Sequence, residues 1–306
     1  MSNMASTIRV ANAPCSWGAL EFDLNAKSPG FDQVLNEMAK AGYTGTELGD
    51  WGFMPTEPEL LQSAIKKRGL NMLAAFVPVD LSNLPAHAEG AERAVRTAAL
   101  LAEVAPRPYI VLADDNGSNK IRTKNAGRIT LAHRMTDDQW PVFIYGAQKV
   151  ALAVLEETGV KTVFHHHCAG FIETPMEIER FLDETDENLI NLCFDTGHYT
   201  FAGGNALEGL KKHASRIKHV HFKDCDPKIA EQSRAKNWDY FESVKRGVFC
   251  ELGKGEVPFK EITEELNRLN YSGWIVVEQD VLPGMGSPYE SAVRNRQYLN
   301  EIGLTE

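Results

Sequence analysis

Residues 161–222 decide the fold: KTVFHHHCAGFIETPMEIERFLDETDENLINLCFDTGHYTFAGGNALEGLKKHASRIKHVHF. Three short apolar runs, at 161–166, 189–194 and 217–222, alternate there with two amphipathic helical runs. Each apolar run ends in polar residues before the next helix begins. Strands that alternate with helices in this way form βαβ units with a parallel sheet, so the stretch predicts an α/β protein.

The same alternation continues towards both ends of the chain. Further strands are predicted at 8–14, 43–48, 70–77, 109–113 and 274–277, which makes eight strands, each followed by a helical run. Eight such pairs are the pattern of a (β/α)8 TIM barrel. Because no linker or change of composition divides the chain, we predict a single barrel domain over residues 1–306, with longer loops after strands 4 and 7.

An open, doubly wound sheet is the alternative architecture. That fold usually carries a GxGxxG phosphate-binding turn after its first strand. Here residues 13–18 read APCSWG, which does not fit that turn. The sequence therefore favours the barrel.

Composition limits the partners and the environment of the protein. The chain has 306 residues with 32 Lys+Arg and 42 Asp+Glu, so its formal net charge is −10. This charge argues against nucleic acid and anionic membranes as partners, because both need a basic surface. No apolar stretch reaches the roughly 20 residues that span a bilayer. The five cysteines form no CxxC pair, which favours reduced thiols. We expect a cytoplasmic protein, and the composition is compatible with a homo-oligomer.

Polar residues at the ends of the predicted strands are candidates for the functional site, because barrel enzymes place their chemistry there. Seven of the nine histidines lie between positions 165 and 221. Alternation along strand 7 puts His219, His221 and Lys223 on one face. Alternation along strand 5 puts His165 and His167 on one face, so at most two of its three histidines reach the same centre. Lys223, if desolvated there, is a candidate acid or base.

Carboxylates join these histidines at two neighbouring strand ends. Asp195 and His198 belong to the segment DTGH after strand 6, where Gly197 allows a tight turn, and Glu278 follows strand 8. Imidazole combined with carboxylate suits Mn²⁺, Co²⁺, Zn²⁺ or Fe²⁺. The structural alternatives are an Asx turn at Asp195, a core histidine at position 219 and a rim salt bridge at Glu278.

Aromatic and basic residues near the strand ends are weaker candidates. Trp17, Trp51 and Phe76 lie at or near strands 1 to 3 and are candidates for a pocket wall, although packing explains them equally well. Arg122 and Arg128 lie in the long loop after strand 4. They either bind an anionic group or keep the loop soluble, and we favour the second interpretation.

Five short motifs occur in order along residues 8–300: APCSWG at 13–18, GTELG at 45–49, DTGH at 195–198, VHFKD at 220–224 and GKGE at 253–256. In this combination the chain resembles the sugar isomerase/epimerase group of xylose-isomerase-like barrels. Within that group it is most similar to the inosose (2-keto-myo-inositol) dehydratases of inositol catabolism. DTGH followed by VHxKD points to the superfamily, and GTELG with the triple histidine points to the dehydratase branch.

The resemblance implies a metal centre and a set of site residues. The metal is typically Mn²⁺ or Co²⁺, with Zn²⁺, Fe²⁺ or Mg²⁺ as other candidates, and its implied ligands are His165, Asp195, His221 and Glu278. The choice of His165 over His167 rests on the motif match alone. The implied acid–base residues are His198, Lys223 and Glu278. The residues expected to contact substrate are Trp17, Glu47, His167 and His219.

One departure from the group favours a particular reaction. Most relatives have a glutamate at the end of strand 5, and epimerases use it as one of two bases, whereas this chain has histidine there. A dehydration needs one base, one acid and a metal, so we predict a metal-dependent lyase that dehydrates a cyclic keto-polyol. A metal-dependent sugar isomerase or epimerase is the first alternative. A nuclease related to the endonuclease IV barrels, which the charge disfavours, and a non-catalytic sugar-binding barrel are the others.

Overall fold

The computed structural model describes residues 8–18, 29–282 and 284–306. The predicted domain of residues 1–306 also includes 1–7, 19–28 and 283, which lie outside the described residues. Among the helices of the described ranges, none has the length and apolar character needed to cross a membrane.

The described residues form a parallel barrel, as predicted. Its strands 1 to 8 are Ile8–Asn12, Gly45–Thr46, Asn71–Met72 with Ala74–Val79, Tyr109–Asp114, Lys161–His165, Ile190–Asp195, Ile217–Phe222 and Gly273–Val277. Strand 3 is interrupted at Leu73, and its first part pairs with strand 2 while its second part pairs with strand 4. The Leu73 N–H donates to Thr46 O (3.0 Å) and its carbonyl accepts from Tyr109 N (3.0 Å). These two bonds connect the edges and close the barrel.

A helix follows each strand and covers its outer face. The eight outer helices in the described residues are Phe31–Lys40, Pro58–Lys66, Ala86–Val104, Gln139–Thr158, Pro175–Glu184, Ala206–His213, Phe259–Arg268 and Pro288–Glu301. Large side chains such as Phe164, Phe194 and Phe222 fill the layer between strands and helices. The opposite faces of the strands contribute a cluster that contains the small residues Ala11, Val163, Cys193 and Val276. Strand alternation thus leaves a narrow barrel interior with space near the strand ends.

A one-residue irregularity in strand 7 sets the register of two candidate site residues. Leu192 pairs with Ile217, but the next pair is Cys193 with His219, so strand 7 contains one extra residue. Beyond this bulge Asp195 lies beside His221. Without it, Asp195 would lie beside Val220, whose side chain faces the outer layer. The bulge therefore brings two inward-facing polar residues to the same level.

The loop after strand 4 contains two short helices, Lys120–Asn125 and Leu131–His133. Our interpretation of Arg122 as a solubilising residue is wrong, because its side chain is fully buried. Its guanidinium donates to both carboxylate oxygens of Glu177 (2.9 and 3.0 Å) and to Gly170 O (2.7 Å). Arg128 donates to Trp238 O (2.7 Å). Both arginines therefore hold the loop against other parts of the chain.

The segment after strand 7 is more regular than the sequence indicated. We define it as the strand-7 excursion, residues 223–258. It contains two short antiparallel strands, Asp224–Cys225 and Phe249–Cys250, and two helices, Pro227–Lys236 and Tyr240–Lys245. The excursion thus forms a small unit beside the barrel.

The carboxylate of Asp224 anchors this unit. It accepts hydrogen bonds from the backbone N–H groups of Cys225, Gly253, Gly255 and Val257, at 2.8 to 3.1 Å. A Cβ atom at Gly255 would lie 2.3 Å from Asp224 Oδ1, so a side chain cannot be accommodated there without a shift. The motifs VHFKD and GKGE are therefore linked by structure.

We expect the substitution Arg122→Met to destabilise the protein strongly. It would leave the buried Glu177 carboxylate without its guanidinium partner, and breaking a buried pair in this way costs about 3–5 kcal/mol. Urea unfolding followed by circular dichroism measures the change in free energy of unfolding.

The matched control is Lys211→Met. Lys211 pairs with Glu208 at 3.0 Å, but both side chains are exposed (43% and 67%). An exposed pair of this kind contributes about 0–1 kcal/mol. Equal losses in the two variants would contradict the structural role of Arg122.

Candidate active site

A pocket opens at the carboxyl ends of the barrel strands, where the fold places functional side chains. Its lining residues come from several strand ends and from the strand-7 excursion: Ala13, Pro14, Cys15, Glu47, Gly49, Asp50, Phe76, Asn116, His165, His167, Lys223, Tyr240, Glu278 and Asp280. Polar and ionisable groups from several strands therefore face one pocket.

Four of the predicted site residues meet at the base of this pocket. His165, Asp195, His221 and Glu278 each offer one ligand atom, and these atoms lie within 4.8 Å of one another. Asp195 Oδ2 is 3.6 Å from His165 Nε2 and 3.9 Å from His221 Nδ1. His221 Nδ1 is 3.2 Å from Glu278 Oε1. The four donors come from the ends of strands 5, 6, 7 and 8.

The hydrogen bonding of this group fits a divalent metal ion. Asp195 Oδ1 accepts from the His198 N–H (2.8 Å), but Asp195 Oδ2 and His221 Nδ1 are buried and have no hydrogen-bond partner in the described part of the chain. A buried polar atom without a partner costs free energy, and a cation between these atoms would satisfy both. Nitrogen and oxygen donors together suit Mn²⁺, Co²⁺, Zn²⁺ or Fe²⁺.

The two carboxylates of the group are held in the ionised form. Burial opposes ionisation of Asp195, but the nearby His165 imidazole and the charge of Lys223 outweigh it and lower the pKa of that carboxyl. Burial likewise opposes ionisation of Glu278, while His221 and Lys223 hold its pKa well below the usual value. A metal needs deprotonated ligands, so both groups are ready to bind one.

Two other groups of potential ligands overlap this one: His165 with Cys193 and His221, and Glu47 with His219 and His221. Burial raises the pKa of Cys193 to about 12, so its sulfur is a thiol rather than a thiolate at neutral pH. Burial opposes ionisation of Glu47, but His221 and His219 lower its pKa to about 2. Glu47 Oε1 lies 2.7 Å from His219 Nε2 and 3.0 Å from His221 Nε2, which are hydrogen-bond distances.

Lys223 lies beside this group with its charge retained. Its Nζ is 3.3 Å from Glu278 Oε2, 3.3 Å from Asp280 Oδ2 and 3.4 Å from His198 Nε2. Burial opposes the charge, but Asp280 and Glu278 outweigh it and raise the pKa of the ammonium well above its usual value. Lys223 therefore stays protonated in the pocket.

Close packing around Lys223 explains the glycine of DTGH. A Cβ atom at Gly197 would lie 2.6 Å from Lys223 Cγ, and its φ is not positive. The expected tight turn is wrong, because Asp195 begins a short helix, Thr196–Phe201, instead. Gly197 is needed for the approach of the lysine side chain.

His198 lies behind the pocket. It is fully buried and is not among the described residues that line the cavity. Its Nδ1 accepts from Cys168 N (3.3 Å), and its Nε2 is 3.4 Å from Lys223 Nζ. Burial holds the pKa of His198 well below the usual value, so the ring is neutral. His198 packs behind Lys223 but does not face the cavity itself.

The three consecutive histidines divide between the two faces of strand 5, as alternation predicts. His166 Nε2 accepts from Asp195 N (3.1 Å) in the outer layer. His167 lines the pocket, its ring centroid 3.9 Å from that of His198 and its Nε2 3.4 Å from the Tyr240 hydroxyl. His165 and His167 thus reach the same cavity, and His165 is the one grouped with Asp195.

Two of the four expected substrate contacts lie outside the pocket, whereas Glu47 and His167 line it. Trp17 ends a short helix, Pro14–Trp17, that turns its indole away, and the indole N–H donates to Glu37 Oε2 (2.7 Å). His219 lines a separate cavity at the opposite end of the barrel, together with Arg9 and Tyr109. Trp17 and His219 therefore do not line this pocket, Trp17 because its indole is turned away and His219 because it lies at another depth of the barrel.

Other pocket residues were missed or misplaced by the sequence. Phe76 lines the pocket as a candidate wall, but Trp51 is exposed, with the Arg96 guanidinium 4.2 Å above its ring. Asp280 was recognisable, since it lies two residues after Glu278 and alternation places both on one side. Tyr240 carried no signal, because it comes from the strand-7 excursion.

Comparisons with known proteins agree with this geometry. A family model described as "Xylose isomerase-like TIM barrel" matches residues 35–301. The inosose dehydratase of Geobacillus thermodenitrificans (strain NG80-2) is 31% identical over 294 residues, which cover 96% of this chain and 97% of the relative.

Two solved structures share the fold. A probable 3-DHS dehydratase involved in petrobactin synthesis in Bacillus anthracis has a TM-score of 0.70 at 14% identity, covering 96% of this chain and 99% of that one. The 3-keto-D-glucoside 4-epimerase of E. coli also has a TM-score of 0.70, at 18% identity and the same coverage of both chains. A probable dehydratase and an epimerase therefore both have this fold.

The geometry predicts which substitutions remove the metal. We expect Asp195→Ala, His221→Ala and His165→Asn each to abolish stoichiometric Mn²⁺ or Co²⁺, because each removes one of the four converging donors. Elemental analysis after dialysis against the metal measures the content, and far-UV circular dichroism checks that the fold is retained.

His167→Asn is the matched control, since it replaces a histidine of the same strand face that is not grouped with Asp195. This variant should keep its metal. Stoichiometric metal in Asp195→Ala or His221→Ala would refute the assignment.

Proposed function

The chain belongs to the xylose isomerase-like TIM barrel family, and on that premise we propose that it is a metal-dependent hydro-lyase that removes water from a cyclic keto-polyol such as inosose. The observation that carries the proposal is the group His165, Asp195, His221 and Glu278. In this group a histidine lies at the end of strand 5, where most proteins of the group that the sequence resembles have a second glutamate. Similarity to an inosose dehydratase over nearly the full chain supports the same reaction.

The reaction breaks two bonds on neighbouring carbons. A base takes the proton from the carbon next to the ketone, the hydroxyl on the following carbon leaves with a proton as water, and a carbon–carbon double bond forms between them. Because the carbon next to the ketone carries a hydroxyl of its own in a keto-polyol, the product is an enol, which rearranges to a dione. A bound divalent metal supplies electrostatic stabilisation of the negative charge that develops on the ketone oxygen.

The residues of the pocket divide the proton transfers between them. Glu278 places Oε1 beside His221 and Oε2 beside Lys223, and we assign the base to Oε2. The Lys223 ammonium is the acid that protonates the departing hydroxyl. Because Glu278 Oε2 and Lys223 Nζ are 3.3 Å apart, the proton taken by the carboxylate can return to the lysine after the reaction.

The surroundings of Lys223 keep it protonated before the reaction. Asp280 and Glu278 keep it charged until the substrate hydroxyl departs, and His198 contacts it from the side away from the cavity. We assign His198 to the positioning of Lys223. His167 and Tyr240 face the cavity and are placed to contact the polyol.

The proposal also includes a cellular location, a pathway and a metal. We place the enzyme in the cytoplasm, in inositol catabolism, with Mn²⁺ or Co²⁺ as its metal. All five cysteines are free, as the reducing environment of the cytoplasm favours. The donor set of two imidazoles and two carboxylates supports either metal.

The reaction is tested by incubating the metal-loaded protein with inosose in ²H₂O. We expect an ultraviolet-absorbing dione to accumulate, together with loss of the substrate hydroxyl in the mass spectrum. Exchange at the α-carbon with formation of an epimer, and no dione, would instead support a sugar epimerase and overturn the lyase.

The role of Lys223 is tested by Lys223→Met. Removal of an acid from the transition state should lower kcat by about 10²- to 10⁴-fold. Stopped assays of dione formation measure the rate, and elemental analysis verifies that metal is retained.

Lys218→Met provides the matched control. Lys218 lies on the same strand but is exposed, and its Nζ donates to Ser215 O (2.8 Å). Its rate should equal that of the unsubstituted protein. Comparable rates for Lys223→Met and Lys218→Met would remove Lys223 from the mechanism.

A further inference from the structure

A hydrogen-bonded chain crosses the interior of the barrel and is not used by the proposed chemistry. Glu47 follows strand 2, whereas His219 and His221 lie on strand 7, and strands 1 and 8 separate the two in the sheet. Glu47 Oε1 nevertheless lies 2.7 Å from His219 Nε2 and 3.0 Å from His221 Nε2. All three residues are buried. We call this chain His219–Glu47–His221 the cross-barrel brace.

The brace decides which nitrogen His221 offers to the metal group. A carboxylate only accepts hydrogen bonds, so His221 must donate its Nε2–H to Glu47. The lone pair for coordination is then on Nδ1, which lies 3.2 Å from Glu278 Oε1 and 3.9 Å from Asp195 Oδ2. The atom that the brace leaves available is the one that the site needs.

His219 keeps Glu47 in place. It donates to the same oxygen as His221 and over the shorter distance. It lines the cavity at the opposite end of the barrel, and its ring centroid is 5.8 Å from that of Tyr109. His219 therefore contacts Glu47 but does not reach the pocket at the carboxyl ends of the strands.

The surrounding side chains strengthen this arrangement. The interior cluster contains Ala11, Val111, Val163 and Val276, which offer no competing side-chain hydrogen bond. In such a medium of low dielectric constant a hydrogen bond to a carboxylate is stronger than in water. The same small side chains leave the space through which Glu47 reaches across.

We propose that Glu47 is a positioning residue for the metal ligand His221, and that His219 in turn positions Glu47. This replaces the substrate contacts that the sequence predicted for both residues. The inference rests on the proposed metal centre, but it concerns metal affinity and not turnover. Partners of this kind behind a ligating histidine change metal affinity by about 10- to 100-fold.

The first test is Mn²⁺ binding by isothermal titration calorimetry on protein stripped of metal. In Glu47→Gln the carboxylate becomes a neutral amide of the same shape, and we expect the Kd for Mn²⁺ to rise by about 10- to 100-fold. Far-UV circular dichroism verifies the fold. An unchanged Kd in folded Glu47→Gln would overturn the brace.

Asp50→Asn is the matched control. Asp50 also lines the pocket, lies three residues from Glu47 and loses its charge in the same way, but it makes no hydrogen bond to a histidine in the described part of the chain. Its Kd should match that of the unsubstituted protein. An equal rise in both variants would mean that pocket charge, and not the brace, sets the affinity.

The second test separates the two links of the brace. His219→Phe should raise the Kd less than Glu47→Gln does, because the remaining bond to His221 survives. If His219 acts only through Glu47, the double variant should bind Mn²⁺ no more weakly than Glu47→Gln alone. Fully additive losses would overturn the role assigned to His219.

The third measurement needs no substitution. In the unsubstituted protein loaded with Zn²⁺, which is diamagnetic, NMR of ¹⁵N-labelled histidine should show His221 protonated at Nε2 and coordinated at Nδ1. Coordination through Nε2 would overturn the inference, whether or not the variants fold.

The outcomes distinguish this inference from the proposed reaction. If the protein binds Mn²⁺ but does not dehydrate inosose, the proposed lyase activity is wrong. The Kd values for Mn²⁺ of the Glu47 and His219 variants still test the brace. Protein that dehydrates inosose, with an unchanged Kd in Glu47→Gln, overturns the brace alone. Two Mn²⁺ ions per chain, one of them lost in Glu47→Gln, would make Glu47 a ligand and overturn its positioning role.

Discussion

The site depends on how one buried carboxylate, that of Asp195, is held. Its backbone N–H donates to His166 on the outer face of strand 5, and its Oδ1 accepts from the backbone of His198 in the helix that follows. Both bonds leave Oδ2 directed at His165 and His221 without a partner of its own. A carboxylate with one oxygen engaged and the other open is costly to bury unless something positive completes it. His165, His221 and Glu278 are arranged around that requirement.

The sequence predicted the faces of the strands well and their depths poorly. Alternation correctly grouped His219 and His221 inside the barrel, and it separated His166 from His165 and His167, because a period of two follows from strand geometry alone. It could not predict the bulge in strand 7, which is a property of the paired strands and not of either one. Alternation therefore does not predict how deep a residue lies along the barrel axis, and His219 lines the cavity opposite the one that Glu47 and His167 line.

Charged loop residues show a second limit of sequence reasoning. Arg122 and Glu177 are 55 positions apart and meet because the barrel brings the segment after strand 4 against the first turn of the helix Pro175–Glu184. The segments around the two residues look like an exposed loop and an exposed helix, and arginine and glutamate are usually exposed. The same applies to Tyr240, which reaches the pocket from a segment that carried no regular pattern. Such residues are buried because they contact partners that are distant in the chain, and the local sequence does not show those partners.

The anchoring of the strand-7 excursion by Asp224 has an evolutionary consequence. Four backbone amides converge on that single carboxylate, and none of them depends on the side chains of the two helices between the anchor points. Changes on the exposed faces of those helices therefore leave the backbone anchor intact, whereas Tyr240 and Val244 belong to a buried cluster with Cys168 and Phe201. Since Tyr240 enters the pocket from this segment, sequence changes there can reshape one wall of the pocket while the Asp224 anchor stays unchanged.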